Sequence, residues 1–334
     1  MLRNFGCRAS DAYMFKQSRL LVLENEKLRI SVLLDKGSDI IEFLYKPTDT
    51  DFIWRSPMEH MDMYKYIQSI PNPIDFRDYY LGGWQEIFPV GATGFELSEA
   101  KIGNHGELWG LPWNSSVIRD TVEEVQVKLW THTIRTPFYV EKILTLKRNE
   151  PVLYIKEKIE NLGEMDLGVM WGHHPAFGGS FLDENCVVFV PAKSFIDEHK
   201  NTYSWPLHEG KDYSQVLPKN SDKWNLYFLR ELSDGWYAVV NRKKKIGFAM
   251  VWDKDIFRYV WFWGCYNLKK FSPWYGRAYT VAVEPFTSLP YPVDPGTLYA
   301  IPARSSLTTE LKALVFTGKT VVQRITPAGR VEGS

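Results

Sequence analysis

The sequence predicts an all-β protein, folded as a large antiparallel β-sandwich. Three observations lead there. Apolar and polar residues alternate in segment after segment, as expected of strands with one buried face. The segments are short, rich in β-branched and aromatic residues, and separated by turns containing Gly, Pro, Asn and Asp. Apolar spacing at three and four residues, the mark of amphipathic helices, is scarce.

Taken in order, Leu20 to Leu23 runs into a polar turn at Glu24 to Lys27, Leu28 to Leu34 ends at Asp35-Lys36-Gly37-Ser38, and Ile40 to Tyr45 follows, which reads as a meander. Gln126 to Ile134, Phe138 to Lys147 and Val152 to Glu160 repeat the pattern, divided by Arg135-Thr136-Pro137 and Arg148-Asn149-Glu150-Pro151. Further strands are expected at Trp236 to Val240, Ile246 to Val251, Tyr259 to Trp263, Tyr279 to Val283 and Ser305 to Phe316. Short helices are expected near Pro57 to Tyr66 and Trp224 to Leu232. The basic run Arg242-Lys243-Lys244-Lys245 falls between two strands and reads as a solvated hairpin turn. No Ser/Gly-rich linker, internal repeat or low-complexity tract divides the chain, so one domain over residues 1–334 is expected, with a polar tail from about Thr317 whose last residues lack order.

Composition narrows the function classes. With 45% hydrophobic residues over 334 positions, the chain can bury a sizeable core. Its 40 basic and 40 acidic residues cancel, which argues against nucleic acid as a partner, since that would call for a net basic face. No apolar run is long enough for a membrane span or a signal-peptide core, so a cytoplasmic protein without a membrane partner is expected. Cys7, Cys186 and Cys265 are scattered and odd in number, suggesting neither a disulfide framework nor a thiolate metal site. The aromatic content of 15%, with 13 tryptophans and 18 tyrosines, suits a packed core and equally suits the C–H faces of sugar rings.

Three segments carry candidate chemistry. Leu81-Gly82-Gly83-Trp84-Gln85-Glu86-Ile87-Phe88-Pro89 is followed by His105-Gly106-Glu107-Leu108-Trp109-Gly110-Leu111-Pro112-Trp113. Glu160-Asn161 precedes Gly172-His173-His174-Pro175-Ala176-Phe177. Ala282-Val283-Glu284-Pro285 places a carboxylate at the end of an apolar strand. Adjacent histidines on a strand point to opposite faces, so His173 and His174 cannot readily share one metal, and no metal site is expected.

In this order the segments resemble the galactose mutarotase-like superfamily and, within it, the aldose 1-epimerases. The matching motifs are Gly82-Gly83 with Phe88-Pro89, His105-Gly106 with Pro112-Trp113, Asn161 with His174-Pro175-Ala176-Phe177, Glu284-Pro285, and the early turn Gly37-Ser38-Asp39-Ile40. The resemblance spans about Leu20 to Phe316. It implies the superfamily's large β-sandwich, the supersandwich, and an enzyme that interconverts the α and β anomers of a free sugar or sugar derivative without metal or organic cofactor.

It maps the acid to His174 and the base to Glu284, with His105 as a second histidine bonding a ring or hydroxyl oxygen. A carboxylate beside His174 is expected to hold it protonated. Substrate-binding candidates are Arg77, nearest to the arginine that many members carry before the Gly-Gly pair; Gln85, for hydroxyls; His173; and Trp109 and Trp261 as sugar platforms, with Trp84 and Trp171 also considered. Asp253 or Asp255 is the nearest counterpart of the aspartate of galactose-specific members, and Trp109 stands where relatives of hexose-6-phosphate epimerases carry arginine. The same fold also serves glycan lyases and hydrolases, and sugar binding without turnover is a third reading.

Overall fold

The computed structural model describes residues 3–58, 76–91, 95–97, 99–290 and 293–334. Two antiparallel sheets dominate. The 12-stranded sheet runs from edge to edge through Arg8–Phe15, Ser18–Glu24, Leu28–Leu33, Ile40–Tyr45, Trp84–Ile87, Gly172–Phe177, Tyr279–Phe286, Tyr259–Tyr266, Lys223–Arg230, Ser194–Asp197 and Thr202–Ser204, with Thr50–Asp51 beside Ile40–Tyr45. The 8-stranded sheet runs through Cys186–Phe189, Trp236–Asn241, Ile246–Val251, Ser306–Thr317, Val152–Asn161, Phe138–Lys147, Glu124–His132 and Asn114–Asp120.

Every strand expected from alternation is present, with ends that differ by at most three residues. Lys223–Arg230 is a strand, which corrects the helix expected at Trp224 to Leu232. Its residues pair one for one with Tyr259–Tyr266, and those ladder bonds outweigh local apolar spacing. Most of the other expected helix, Pro57 to Tyr66, lies outside the described residues. The tail is also corrected: Arg324–Ile325 pairs with Val331–Glu332, and Val322 and Ile325 are buried against Trp236, Val240 and Leu314 on the 8-stranded sheet. Among the described residues no helix is long and apolar enough to cross a membrane.

Alternation explains how the sheets meet. Val125, Val127 and Leu129, then Val140, Leu144 and Leu146, then Leu153, Ile155 and Ile159 are the buried members of three neighbouring strands and join one core with Trp84, Val281 and Val283 of the larger sheet. Two charged residues occupy the same inward phase. Lys142 and Glu157 lie directly opposite each other in the strand register, both buried. Across the sandwich they meet polar partners on the larger sheet: Lys142 Nζ donates to Glu86 Oε2 at 3.1 Å, and Glu157 Oε2 lies 3.1 Å from His173 Nε2. Trp171 Nε1 donates to Glu86 Oε1 at 3.0 Å, and the Trp113 ring covers Lys142 Nζ at 4.8 Å. These bonds tie the inner faces of the two sheets together.

Breaking a buried ion pair from one side leaves a charge without its partner. Lys142→Met is expected to lower stability by about 3–5 kcal/mol in urea denaturation, and Lys142→Met/Glu86→Gln to recover part of that loss. Equal destabilisation by the single and double variants would show that the pair is not coupled.

Candidate active site

The site forms where Gly172–Phe177 lies between Trp84–Ile87 and Tyr279–Phe286 in the larger sheet. In that register His174 faces Gln85 and His173 faces Glu86. Successive side chains on a strand alternate between faces, so this pairing sorts the four residues. His173 and Glu86 point inward to the second sheet, while His174 and Gln85 point outward. His173 is therefore corrected as a substrate-binding candidate. Its Nδ1 accepts from Trp84 Nε1 at 3.2 Å, which fixes its proton on Nε2, from where it donates to Glu157. Trp84 and Trp171, considered as sugar platforms, are buried in the same inner layer.

On the outer face His174, Glu284 and His105 line one cleft of about 310 Å³, together with Arg77, Tyr80, Trp261, Trp263 and Trp274. His174 Nε2 lies 3.6 Å from Glu284 Oε1. Trp261 pairs with Glu284 across the neighbouring strands, and Trp263 with Ala282, so both tryptophans share the outward face. Trp263 lies 5.8 Å from the His174 ring, and Trp274 closes the wall against Trp54 and Tyr80. At the rim, Trp224 stacks on Phe271 with ring centroids 6.0 Å apart, and Arg77 sits over the Phe271 ring at 5.4 Å.

Local backbone geometry sets His105. The residue is left-handed, with φ of 66°, and Gly106 follows with φ of 75°. A Cβ on Gly106 would lie 2.1 Å from Phe88 O, so only glycine fits this approach. The Phe-Pro and His-Gly motifs are thus two sides of one contact: Gly106 bridges Phe88, and Phe88 O accepts from Glu107 N at 2.8 Å. Phe76 stacks on the His105 ring at 3.6 Å, and the His174 ring lies 5.2 Å away. Asn161, by contrast, is a loop anchor, donating to Met165 O at 2.9 Å and to Ile301 O at 3.0 Å.

Burial governs the ionisation of this group. It pushes Glu284 well above the usual carboxylate range and lowers His174 to about 4. His105 also falls well below its ordinary value, first through burial and then through the charges of His174, Lys36 and Arg77. Desolvation works against the expectation that the carboxylate would hold His174 protonated: it favours the neutral form of both groups. The Tyr80 hydroxyl lies 3.3 Å from His174 Nδ1 and 3.4 Å from Gly83 O. A carbonyl can only accept, so a hydroxyl that donates to Gly83 O accepts from His174 Nδ1–H and leaves Nε2 bare towards Glu284.

Arg77 and Trp261 line the cleft. Four other candidates do not. Gln85 is fully buried behind His105, to which its side chain is bonded. Trp109 stands beside the cleft, half-buried, with Lys36 Nζ 5.6 Å above its ring and Tyr79 at 6.2 Å. Asp253 and Asp255 are exposed in a turn held by the Asp255 N to Asp253 Oδ1 bond and do not line the cleft. Sequence reasoning missed Tyr80, Trp263 and Trp274. For Trp263 the signal was parity: two residues from Trp261 on one strand, it faces the same way.

This fold is the galactose mutarotase-like sandwich. A structure from Klebsiella pneumoniae, named as a candidate aldose 1-epimerase, superposes with a TM-score of 0.72 at 15% identity, covering 92% of this chain and 83% of that one. A galactose mutarotase-like protein from Clostridium acetobutylicum gives 0.69 at 13% identity, with 94% and 99% covered. One from Lactobacillus casei gives 0.62 at 13%, with 89% and 100% covered. At such identities the likeness establishes the fold. No curated protein sequence matches the chain. The chain belongs to the family described as domain of unknown function DUF4432, which matches residues 16–313.

The raised Glu284 carboxyl has a consequence for stability. Its protonated form is favoured by folding, so its contribution is complete below the unfolded pKa and is lost as pH rises through the folded value. Glu284→Gln removes that loss. Its melting temperature is expected to equal the parent's near pH 4.5 and to exceed it increasingly towards pH 8, followed by tryptophan fluorescence. A constant difference across that range would exclude the burial effect.

Proposed function

We propose that the protein is an aldose 1-epimerase-type isomerase that interconverts the α and β anomers of a sugar, with Glu284 and His174 as its proton-transfer pair. The observation that carries this reading is the 3.6 Å approach of His174 Nε2 to Glu284 Oε1 inside an aromatic-walled cleft. Anomerisation moves protons at two oxygens, the ring oxygen and the anomeric hydroxyl, which both hang on C1. Two transfer groups serving them must be close neighbours, and these are.

The charge state defines the first step. Glu284 holds the exchangeable proton and donates it to the ring oxygen, while neutral His174 takes the proton of the anomeric hydroxyl. The C1–O5 bond breaks as the C1 carbonyl forms. Rotation about C1–C2 turns the other face of the carbonyl to O5, and closure returns both protons. The pair ends as it began, so no external acid, oxidant or reductant is consumed. Trp263 offers a flat face to the sugar's C–H groups, Trp261, stacked on Phe286 at 3.7 Å, borders the cleft beside it, and Arg77 and His105 offer polar contacts. Retaining and inverting glycoside hydrolysis uses two carboxyl groups about 5–10 Å apart. Among the described cleft residues the second carboxylate, Glu198, is exposed at the rim, which favours isomerisation over hydrolysis.

Anomer exchange measured by proton NMR saturation over common aldoses, uronates and sulfonated sugars tests this. On a sugar that the protein accepts, Glu284→Gln and His174→Asn are each expected to lower turnover by about two to four powers of ten, with affinity held within a few-fold. Turnover near that of the parent in Glu284→Gln would overturn the mechanism, and release of an unsaturated sugar or a new reducing end would assign a lyase or hydrolase instead.

The pH profile is a separate check. Turnover needs His174 neutral and Glu284 protonated, so it should persist on the acid side down to about pH 4 and decline as pH rises through the elevated value of Glu284. An acid limb near 6.5, the ordinary histidine value, would contradict the assignment.

A further inference from the structure

Behind His105 the buried polar groups run in an unbroken line. Lys36 Nζ donates to Asp39 Oδ2 at 2.6 Å, and both side chains are almost wholly buried. Gln85 Nε2 donates to the same oxygen at 3.2 Å, and Gln85 Oε1 lies 3.1 Å from His105 Nδ1. None of these three partners lines the cleft. The direction of each bond follows from the one before it. An oxygen that accepts from lysine must also be met by the amide nitrogen of Gln85, not by its oxygen. That orientation leaves the amide oxygen facing the imidazole, and an oxygen there requires an N–H on Nδ1.

We propose that Lys36, Asp39 and Gln85 are positioning residues that lock His105 as its Nδ1–H tautomer, so that its bare Nε2 accepts a hydrogen bond and selects substrates presenting a hydroxyl group at that point of the cleft. The inference rests on the reading of the cleft as a sugar site, and it narrows that reading. A bare Nε2 cannot donate to a ring oxygen, so His105 binds a sugar hydroxyl, and a substrate with a hydrogen, an ether or a carbonyl in its place leaves a buried acceptor unpaired. Phe76, stacked on one face of the ring, holds its plane, and Gly106, pressed against Phe88, fixes the backbone beside it, but neither decides which nitrogen carries the proton. The buried chain decides it. Burial keeps the ring neutral, which the lock needs, since an imidazolium would donate at both nitrogens.

The test reads the tautomer directly, without turnover. Protein labelled with ¹⁵N-histidine, its His105 signals assigned with His105→Gln, should show at pH 7 a protonated Nδ1 and an unprotonated Nε2 in two-bond ¹H–¹⁵N spectra. A protonated Nε2 in the parent overturns the proposal. Gln85→Met, which removes the acceptor, and Lys36→Met/Asp39→Asn, which removes the anchor without stranding a charge, should each give a tautomer mixture. An unchanged tautomer in both variants, each shown to be folded by circular dichroism, also overturns it.

D-Glucose, D-galactose and their single-deoxy analogues serve as binding probes. For a sugar that the parent binds, removal of one particular hydroxyl should weaken binding about tenfold, and that discrimination should shrink in Gln85→Met. Equal binding of every deoxy analogue by the parent overturns the selection. A locked tautomer with hydroxyl discrimination but no anomer exchange would uphold the lock and remove the isomerase reading.

Discussion

The structure depends on two polar bridges that cross the sandwich beneath the cleft. Lys142 with Glu86 and Glu157 with His173 occupy positions where alternation demands apolar residues. Burying charge without a partner is costly, so these groups are tolerated only if the strands stand where the partners meet. A one-residue slip of Trp84–Ile87 or Gly172–Phe177 would turn Glu86 or His173 out of the core and strand the group opposite. The same slip would turn Gln85 or His174 inward. The inner bridges and the outer site are thus two readings of a single register.

That register sets the electrostatics of the cleft. The strands that present His174 and Glu284 sit well inside the larger sheet, flanked on both sides by paired neighbours. Their side chains emerge on a floor walled by tryptophans, where little water competes. An exposed carboxylate beside an imidazole would form an ion pair. Here both groups are nearly water-free, and burial favours the neutral form of each. Desolvation therefore opposes the ion pair.

The strands were legible in the sequence because alternation, β-branching and turn residues agree along them. Lys223–Arg230 was misread because its apolar residues fit a helix as well as a strand over so short a window, and only pairing with Tyr259–Tyr266 decides. The motifs led to His105, His174 and Glu284, yet not to what surrounds them. Trp84 and Trp171 were indistinguishable from Trp261 and Trp263 until strand register assigned faces. Gln85 is polar and near the histidines, but its side chain is turned to His105 and Asp39, which no spacing reveals. One signal was available: Lys142 and Glu157 fall in phase with Val140, Leu144, Ile155 and Ile159, and a charged residue in the buried phase of a strand announces a partner across the core.

Phe88 and Gly91, one and four residues beyond Trp84–Ile87, hold the turn that carries His105: His105 N donates to Gly91 O, and Glu107 N to Phe88 O. Glu107 in turn grips Ile134 N, Arg135 N and the Thr136 hydroxyl in the turn between Glu124–His132 and Phe138–Lys147 of the second sheet. The strand that carries Gln85 and the turn that carries the imidazole are therefore mounted on the same few residues. Displacement of that strand moves both ends of the Gln85–His105 bond together, so sheet breathing is common-mode there and cancels from their separation. His174 shares part of that mount, because its strand pairs with Trp84–Ile87 and Met170 N donates to Pro89 O.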